Sequence, residues 1–422
     1  MKKDKQPGIP FTGYQKFVVA MLALLQFTIV LDFMVLSPLG DILMKSLDIT
    51  PSQFGLVVSS YAFSAGISGI LAAGFADKYD RKKLLLFFYT GFIAGTFFCA
   101  MANSYWMLLL ARTVTGLFGG VIGAVSMAII TDLFDIRQRG RVIGIVQMGL
   151  AVSQVLGIPV GLYFANLWGW HSSFLMIVFL SILIGVALLI RLKPVSDHLA
   201  VQTDKSPVLH LLHTLGNKEY QVGYLATAFL SIGGFMLMPF GSAYVINNLG
   251  LTQEDLPLIF MLSGLASIIT MPIIGRLADR VDRYKLFLAG SLLALVMILI
   301  YTTLPKVPLW QVVVVNMIMF VGIMSRMIPA ISLTTGLPGL RDRGAFMSVN
   351  GSLQQMAGGF AAVSAGLIVS QPGKGAPLLH YNRLGWVVCT VIVICAWLVY
   401  RVDRLVKARV VIANTEASEV SS

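Results

Sequence analysis

The 422-residue sequence has few charged side chains, and this scarcity decides the class of protein. Asp, Glu, Lys and Arg make up 12% of the chain, whereas 57% of the residues are hydrophobic and the mean hydropathy is +0.83. A soluble globular domain carries about 25% charged residues. The composition therefore excludes a soluble protein and indicates one that is embedded in a membrane.

Cysteine and histidine are also rare, which argues against several kinds of site. Cys99, Cys389 and Cys395 all lie within apolar stretches, so no disulfide framework is expected. Among the histidines, His210 and His213 are three positions apart, but two ligands make a poor metal site. The sequence has no nucleotide-binding loop and no nucleophile constellation, so we expect no enzyme, no cofactor and no metal.

What the sequence has in abundance is apolar stretches of about 17–25 residues, separated by short polar loops. The bilayer core contains no water, so each stretch must satisfy its own backbone groups and is predicted to be a helix. The fold class expected is an all-α membrane protein with twelve transmembrane helices. The predicted helices are 17–38, 53–75, 84–101, 106–130, 142–164, 172–190, 221–245, 257–275, 286–303, 310–333, 345–369 and 384–400.

The distribution of basic residues predicts the orientation of the chain. With both termini in the cytoplasm, the cytosolic segments hold 25 Lys and Arg residues and the outer loops hold four. This is the positive-inside pattern of a multi-pass membrane protein. It accounts for the net charge of +12 without a nucleic-acid partner. We expect the protein in a plasma membrane (the inner membrane of a bacterium).

A charged octet occurs twice in the chain. "ADKYDRKK" begins at residue 76 and "ADRVDRYK" at residue 278, an offset of 202; "RQRG" and "RDRG" follow at an offset of 204. These matches predict two six-helix halves that run in the same direction, which is a known transporter architecture. The predicted segments are the halves 1–190 and 221–400, a cytosolic linker with a short amphipathic helix, 191–220, and a cytosolic tail, 401–422.

The octets resemble the signature Gly-x-x-x-Asp-(Arg/Lys)-x-Gly-Arg-(Arg/Lys)-(Arg/Lys), which marks the major facilitator superfamily between helices 2 and 3. The resemblance covers nearly the whole chain and implies the major facilitator fold, with two parallel-related halves. The first copy has Ala73 where the first glycine belongs, whereas the second keeps Gly275. Asp80 and Asp282 replace the second glycine. A generic basic loop would explain the charges, but not their order or duplication.

We interpret the octets as a cytosolic gate. Asp77 is expected to accept hydrogen bonds from backbone N–H groups at a nearby helix N-terminus. Arg81 is expected to pair with Asp132 or Asp135 at the end of helix 4, and such contacts would hold the cytosolic ends of the halves together. Exposed pairs contribute only about 0–1 kcal/mol each, so the gate would bias two states of similar free energy. The predicted gate residues are Asp77, Arg81, Asp132, Asp135, Asp279 and Arg283.

Three charged residues fall within the predicted spans: Asp32, Arg112 and Arg326. Each would cost about 2.5–3.5 kcal/mol at the bilayer centre on insertion scales, so each is a functional candidate. A rise of about 1.5 Å per residue places Asp32 ~22 Å and Arg112 ~21 Å from the cytosolic side. The two residues are therefore predicted to share a level.

The resemblance implies a role for this pair. Helices 1, 4, 7 and 10 line the central cavity in the superfamily, and "ARTVTG" (111–116) fits its Arg-x-x-x-Gly pattern in helix 4. An acid in helix 1 with such an arginine is the proton-handling pair of many drug:proton antiporters. Asp32 and Arg112 are thus predicted to face each other in the cavity and to couple proton movement to transport. The alternative is a fixed structural ion pair.

The rest of the cavity is predicted to be apolar and rich in methionine. Arg326 could either snorkel to the cytosol or bind an anionic group of the substrate. "LGIPVGLYF" (156–164) departs from the antiporter pattern Gly-Pro-x-x-Gly-Gly in helix 5, which weakens the antiport assignment. The candidate cavity residues are Gln26, Met236, Asn316, Arg326, Asn350 and Gln354.

Together these features predict a monomeric secondary transporter that works by alternating access. The resemblance to the drug- and sugar-efflux branch favours proton-coupled efflux of small amphipathic compounds, with protons, a small-molecule substrate and the lipid bilayer as partners. The alternative within transport is a proton symporter or facilitator of a small metabolite. A non-transporting membrane receptor or a lipid scramblase is less favoured, because a static receptor does not need a two-state gate.

Overall fold

A computed structural model describes residues 10–75, 78–196, 199, 213–278, 280–339 and 342–421 of the chain. Nearly all of these residues are helical, and the only strand-like pairing found among them is an isolated bridge between Ser370 and Leu379. Eleven helical segments of the described chain are long and apolar enough to cross a membrane, judged by length and composition. The prediction of an all-α membrane protein is confirmed.

The helices follow one another in two series. The first is α1 (Gly13–Val35), α2 (Gly40–Leu47), α3 (Pro51–Phe75), α4 (Arg81–Ala100), α5 (Tyr105–Leu133), α6 (Ile136–Val152), α7 (Ile158–Trp168) and α8 (His171–Arg191). The second is α9 (Lys218–Phe235), α10 (Gly241–Asn247), α11 (Leu256–Ala278), α12 (Arg283–Thr302), α13 (Leu309–Thr334), α14 (Arg343–Ile368) and α15 (Tyr381–Ser421). The helix α14 corresponds to the predicted span 345–369, the eleventh in chain order, and its glycines and amides keep it outside the set of eleven.

The first helix of each half is followed by a turn and a short helix; the predicted span 17–38 ends at this turn, whereas the predicted span 221–245 continued through it. The chain turns between α1 and α2 at Pro38, and a 3-10 turn, Met238–Phe240, separates α9 from α10 at Pro239. Proline has no N–H group for the helical ladder, so it ends a helix or bends it. Each half thus places a short second helix at the same end of the bundle.

The fifth predicted span, 142–164, is interrupted in a different way. A π-helical turn, Ser153–Gly157, joins α6 to α7 at the start of the "LGIPVG" stretch. Such turns are rare and are frequent at functional sites. The predicted span was right in position but did not anticipate this change in helical geometry.

The last helix does not end at residue 400, as predicted, but continues to Ser421. Its extension packs on the second half, because Lys407 Nζ lies 2.8 Å from the Asp282 carboxylate and Arg409 pairs with Glu219. Most of the predicted amphipathic linker helix lies outside the described residues. The division of the chain at residues 190 and 221 stays a prediction.

The two halves share a hydrophobic core at one end of the molecule. We call the end where α3 is followed by α4 and α11 by α12 the basic face, and the other end the opposite face. At the opposite face one hydrophobic core contains residues of both halves, including Phe54 and Phe240, whose rings are 6.0 Å apart. Towards the basic face the halves have separate cores, one around Ile129 and one around Leu333.

The helices α3 and α14 make a close contact between the halves. A Cβ atom at Gly55 would lie 2.6 Å from the carbonyl oxygen of Ala362, so the backbones approach each other as only a glycine allows. Small residues at the contact are typical of helix pairs in membranes.

Candidate functional site

Asp32 of α1 and Arg112 of α5 form an ion pair inside the first half. Arg112 Nη1 donates to Asp32 Oδ2 at 2.7 Å and to the Asp32 carbonyl oxygen at 3.3 Å. Thr96 Oγ1 on α4 donates to the other carboxylate oxygen, Oδ1, at 3.2 Å. Both carboxylate oxygens therefore have donors, and charged donors and acceptors form the stronger hydrogen bonds.

An aromatic ring covers the guanidinium. The Tyr61 ring on α3 has its centroid 4.5 Å from Arg112 Cζ, within the range of a cation–π interaction. Arg112 Nε and Nη2 have no hydrogen-bond partner among the described residues. Part of the hydrogen-bonding capacity of this arginine is thus unused in this conformation.

The structure brings Asp32 and Arg112 together but does not place them on a cavity wall. Both side chains are 0% exposed, and α1, α3, α4 and α5 enclose them. The two residues face each other as predicted, but in this conformation Tyr61 and Thr96 cover the pair, and its place in the central cavity stays a prediction.

Arg326 is buried within the second half. Its side chain is 1% exposed, its Cζ lies 5.8 Å from the centroid of the Phe287 ring, and its Nε and Nη2 have no hydrogen-bond partner among the described residues. In this conformation the guanidinium neither snorkels to water nor lines a cavity. The repeat offsets align Asp32 with Gly234 and Arg112 with Asn316, so the second half carries no copy of the ion pair.

The other predicted cavity residues divide into two groups. Met236 belongs to the core shared by the halves, and Asn316 is 8% exposed and accepts a hydrogen bond from Ser263 at 3.3 Å. Neither lines an open space in this conformation. The partly exposed residues are Gln26, Asn350 and Gln354.

A small apolar pocket lies between the halves, next to the ion pair. Phe33 of α1 and Phe235 of α9 face each other across it, with ring centroids 5.9 Å apart. Its lining includes one hydroxyl, that of Ser37, which already donates to the Met238 carbonyl oxygen. The pocket therefore suits an uncharged, apolar group.

At the basic face, Asp77 and Asp279 lie outside the described residues. Arg81 is 6% exposed, and its Nε lies 3.3 Å from Asp132 Oδ2. This ion pair is within the first half, so it does not tie the two halves together as the gate interpretation expected. Arg283 is exposed, and the repeat offset puts glycines where the first half has Asp132 and Asp135.

Three aspartates at the basic face begin helices. Asp80 Oδ1 accepts from the Lys83 backbone N–H and Asp282 Oδ1 from that of Lys285, each at 3.0 Å. Asp135 does the same for α6, where the hydrogen bond from the Arg137 backbone N–H lowers the pKa of Asp135 below its ordinary value. An aspartate before a helix is the expected N-cap, a signal that explains why Asp80 and Asp282 depart from the glycine of the signature.

A polar network at the opposite face joins the halves and was not predicted. Asp41 is 1% exposed and accepts from Lys45 Nζ at 2.7 Å, from Asn247 Nδ2 at 2.6 Å and from Gln253 Nε2 at 3.3 Å. Asn247 and Gln253 belong to the second half. We call Asp41, Lys45, Asn247 and Gln253 the opposite-face network.

The repeat contained a signal for this network. Lys45 Nζ lies 3.3 Å from Asn247 Oδ1, and the two positions are 202 apart, the offset of the octets. Equivalent positions of two halves meet where the axis between them passes. An exposed ion pair, Lys374 with Asp48 at 3.0 Å, also crosses between the halves at this face.

Comparison with known proteins gives the family. The model of the Major Facilitator Superfamily matches residues 22–362 and 223–419. The chain belongs to the major facilitator superfamily. A relative within it, the uncharacterized MFS-type transporter YceJ of Bacillus subtilis (strain 168), is 27% identical over 285 residues, which cover 67% of this chain and 71% of that protein. A probable sugar efflux transporter of Helicobacter acinonychis (strain Sheeba) is 24% identical over 59% of this chain and 62% of its own length.

Solved structures share the superfamily fold. A D-xylose-proton symporter has a TM-score of 0.75 at 15% identity, with 92% of this chain and 98% of that chain covered. An inward-facing, unoccupied bacterial homologue of the human lysosomal transporter Spinster has a TM-score of 0.74 at 17% identity, with 94% and 99% covered. The protein is thus a multi-pass membrane transporter with the twelve-helix superfamily fold, and it is not an enzyme.

Proposed function

We propose that this superfamily member exports small amphipathic compounds in exchange for protons, by alternating access. The observation that carries the proposal is the buried ion pair of Asp32 and Arg112, because Asp32 is the one acid within the predicted spans. The probable sugar efflux transporter among the relatives supports export, and sugar-like compounds are included in the substrate class.

The ion pair can link protonation to conformation. A proton on Asp32 would cancel its charge and leave Arg112 buried without a partner, and a broken buried pair costs about 3–5 kcal/mol. The protein would then favour another arrangement, in which the unused Nε and Nη2 groups of Arg112 find acceptors. A ligand that binds two states unequally shifts their populations, and the proton would be such a ligand.

The packing of the halves supports an inward-facing state. We take the basic face as cytosolic because it has the excess of Lys and Arg. Both termini would then be cytosolic, and we propose that the protein lies in a bacterial inner membrane as a monomer. The halves share a core at the opposite face and have separate cores towards the basic face. Opening outward would require the opposite-face network to separate.

In this proposal the octets still contribute to a gate, but through a contact within one half and not through a contact between the halves. The pair of Arg81 and Asp132 fixes the ends of α4 and α5 within the first half, so that this half moves as one body. The contributions of Asp77, Asp279 and Arg283 remain predictions from the sequence. Gln26, Asn350 and Gln354 are the proposed polar contacts of the substrate.

Proton symport is the second candidate, because the fold is shared with a D-xylose-proton symporter. Purified protein in liposomes separates the two with tetraphenylphosphonium, ethidium and D-xylose as probes. A vesicle that is acidic inside should accumulate the substrate of an antiporter, and one that is acidic outside should accumulate that of a symporter. We expect the first result, and uptake driven only by external acid would replace antiport by symport.

Asp32→Asn tests the ion pair in the same vesicles. It should abolish uptake driven by the pH gradient while leaving exchange of labelled for unlabelled probe in the absence of a gradient. Gradient-driven uptake equal to that of the unmodified protein would remove Asp32 from the coupling role.

A further inference from the structure

Three aromatic rings connect the buried ion pair with the second half. Tyr61 is 1% exposed and has Arg112 Cζ 4.5 Å from its ring centroid. The Phe33 ring lies 5.4 Å from the Tyr61 ring, and the Phe235 ring of the second half lies 5.9 Å from that of Phe33. Phe33 is also the residue that follows Asp32. The chain of contacts therefore runs from the ion pair to the pocket between the halves.

The packing of α5 on α3 holds Tyr61 over Arg112. A Cβ atom at Gly116 would lie 2.9 Å from the Tyr61 Cα, and one at Gly119 would lie 2.8 Å from the Tyr61 hydroxyl oxygen. Gly116 is the glycine of "ARTVTG", one helical turn after Arg112. The glycine of this pattern thus lets α3 approach closely enough for its tyrosine ring to cover the arginine.

The groups that face Asp32 can be named from every helix around it. Arg112 comes from α5, Tyr61 from α3, and Thr96 and Cys99 from α4, with the Cys99 thiol 3.8 Å from Thr115 Oγ1. The other elements packed on α1 are α6, the π-helical turn, α7 and α8, and their charged residues are all basic and lie at the basic-face ends of α6 and α8: Arg137, Arg139, Arg141 and Arg191. Asp32 is therefore the single acid of this buried cluster.

We propose that Tyr61 is a positioning residue that transmits the protonation state of Asp32 to the Phe33–Phe235 contact between the halves. The proposal rests on the proton-coupled function above. When Asp32 is neutral, Arg112 loses its partner and leaves the Tyr61 ring. Protein interiors are close-packed, so a Tyr61 ring that moves when Arg112 leaves it displaces its neighbours. The Phe33 ring then shifts against the Phe235 ring.

A substrate-free experiment tests this. Spin labels are attached to cysteines introduced at Thr131 and Ile331, exposed residues at the basic-face ends of α5 and α13, in the full-length protein in nanodiscs. Pulsed electron resonance then gives the distance distribution at a series of pH values from mildly acidic to alkaline. The three native cysteines are buried and should not react with the label.

The unmodified protein should change its distance distribution with pH, and Asp32→Asn should not. Tyr61→Leu should lose the change and Tyr61→Phe should keep it, because the ring and not the hydroxyl makes the contacts. Phe33→Leu, which breaks the next contact, should also lose it. Tyr89→Leu is the matched control: Tyr89 is likewise 1% exposed in the first half but stacks on Phe92, 6.0 Å away, outside the chain of rings.

The outcomes separate this inference from the function on which it rests. A pH response that Asp32→Asn abolishes but Tyr61→Leu retains leaves proton coupling intact and overturns the role of Tyr61. Equal loss in Tyr61→Leu and Tyr89→Leu also overturns it, because any missing ring would then suffice. A response unchanged in Asp32→Asn contradicts the proposed function itself.

Discussion

Replacing Asp41 with alanine removes the centre of the opposite-face network and should shift the protein towards opening at that face. The carboxylate accepts hydrogen bonds from Lys45 in its own half and from Asn247 and Gln253 in the other. When the halves separate, the contact with Lys45 can persist, since the two residues are one turn apart in α2. The contacts with Asn247 and Gln253 cannot, so these two set the preference between states.

The size of the shift follows from these two contacts. A hydrogen bond to a charged group contributes about 1.5–3 kcal/mol. The contact with Asn247 is short, at 2.6 Å, whereas that with Gln253, at 3.3 Å, belongs at the weak end. The sum is therefore at least about 3 kcal/mol, which changes the ratio of the two states by about 100-fold or more. Asp41→Asn keeps one acceptor oxygen and should produce a smaller shift.

Spin labels at Trp106 and Trp310 would measure the shift. Both residues are exposed at the opposite-face ends of α5 and α13, and they occupy equivalent positions of the repeat. The control is Asp48→Ala, which removes an ion pair with Lys374 that also crosses between the halves but is largely exposed. Exposed pairs contribute little, so this variant should match the unmodified protein. Equal distance distributions for Asp41→Ala and the unmodified protein, or an equal shift in Asp48→Ala, would refute the reasoning.

Two further predictions concern the basic face. Asp80→Ala removes the N-cap of α4 and should lower the stability by about 0.5–2 kcal/mol, visible as a lower melting temperature, whereas Asp80→Asn, which keeps a capping oxygen, should restore most of it. Lys407 donates to Asp282 and holds the pKa of that carboxyl below its ordinary value. The stabilisation is therefore present at neutral pH and is lost as the pH falls through the lowered pKa. Lys407→Met should melt below the unmodified protein at neutral pH and converge with it in acid; a gap that persists in acid would contradict this.

The sequence predicted the helices well because the bilayer leaves few choices. Apolar length decides which segments span, and the repeated octets decide how the two halves are related. Boundaries were less predictable where one residue has a local effect: Pro239 interrupts a helix that the apolar pattern, predicted as 221–245, would continue. The extension of α15 beyond residue 400 was missed because its polar residues pack on the second half and not in the membrane.

The sequence predicted the depth of Asp32 and Arg112 in the membrane, but not the direction in which their side chains point. Counting residues gives the depth of Asp32 and Arg112, and a similar depth allowed the pairing that the structure contains. Counting cannot give the rotation of a helix about its axis, which decides whether a side chain points to a cavity or into its own half. The sequence therefore did not predict that Tyr61 and Thr96 surround the ion pair. Arg326 was expected at the cytosolic surface or at the cavity, and its side chain reaches neither in this conformation.

The repeat shows how two similar halves come to do different work. At equivalent positions, Asp32 and Arg112 of the first half correspond to Gly234 and Asn316 of the second. Likewise Asp132, which pairs with the buried Arg81, corresponds to Gly336. In the proposed mechanism the first half holds the acid that binds the proton, whereas the second half supplies Asn247 and Gln253 to the contact that would open. A proton taken up in one half can change the state of the transporter only through surfaces that both halves share. Besides the contact of α3 with α14, the described residues share the Phe33–Phe235 contact and the opposite-face network, and substitutions at these two surfaces should separate proton binding from movement.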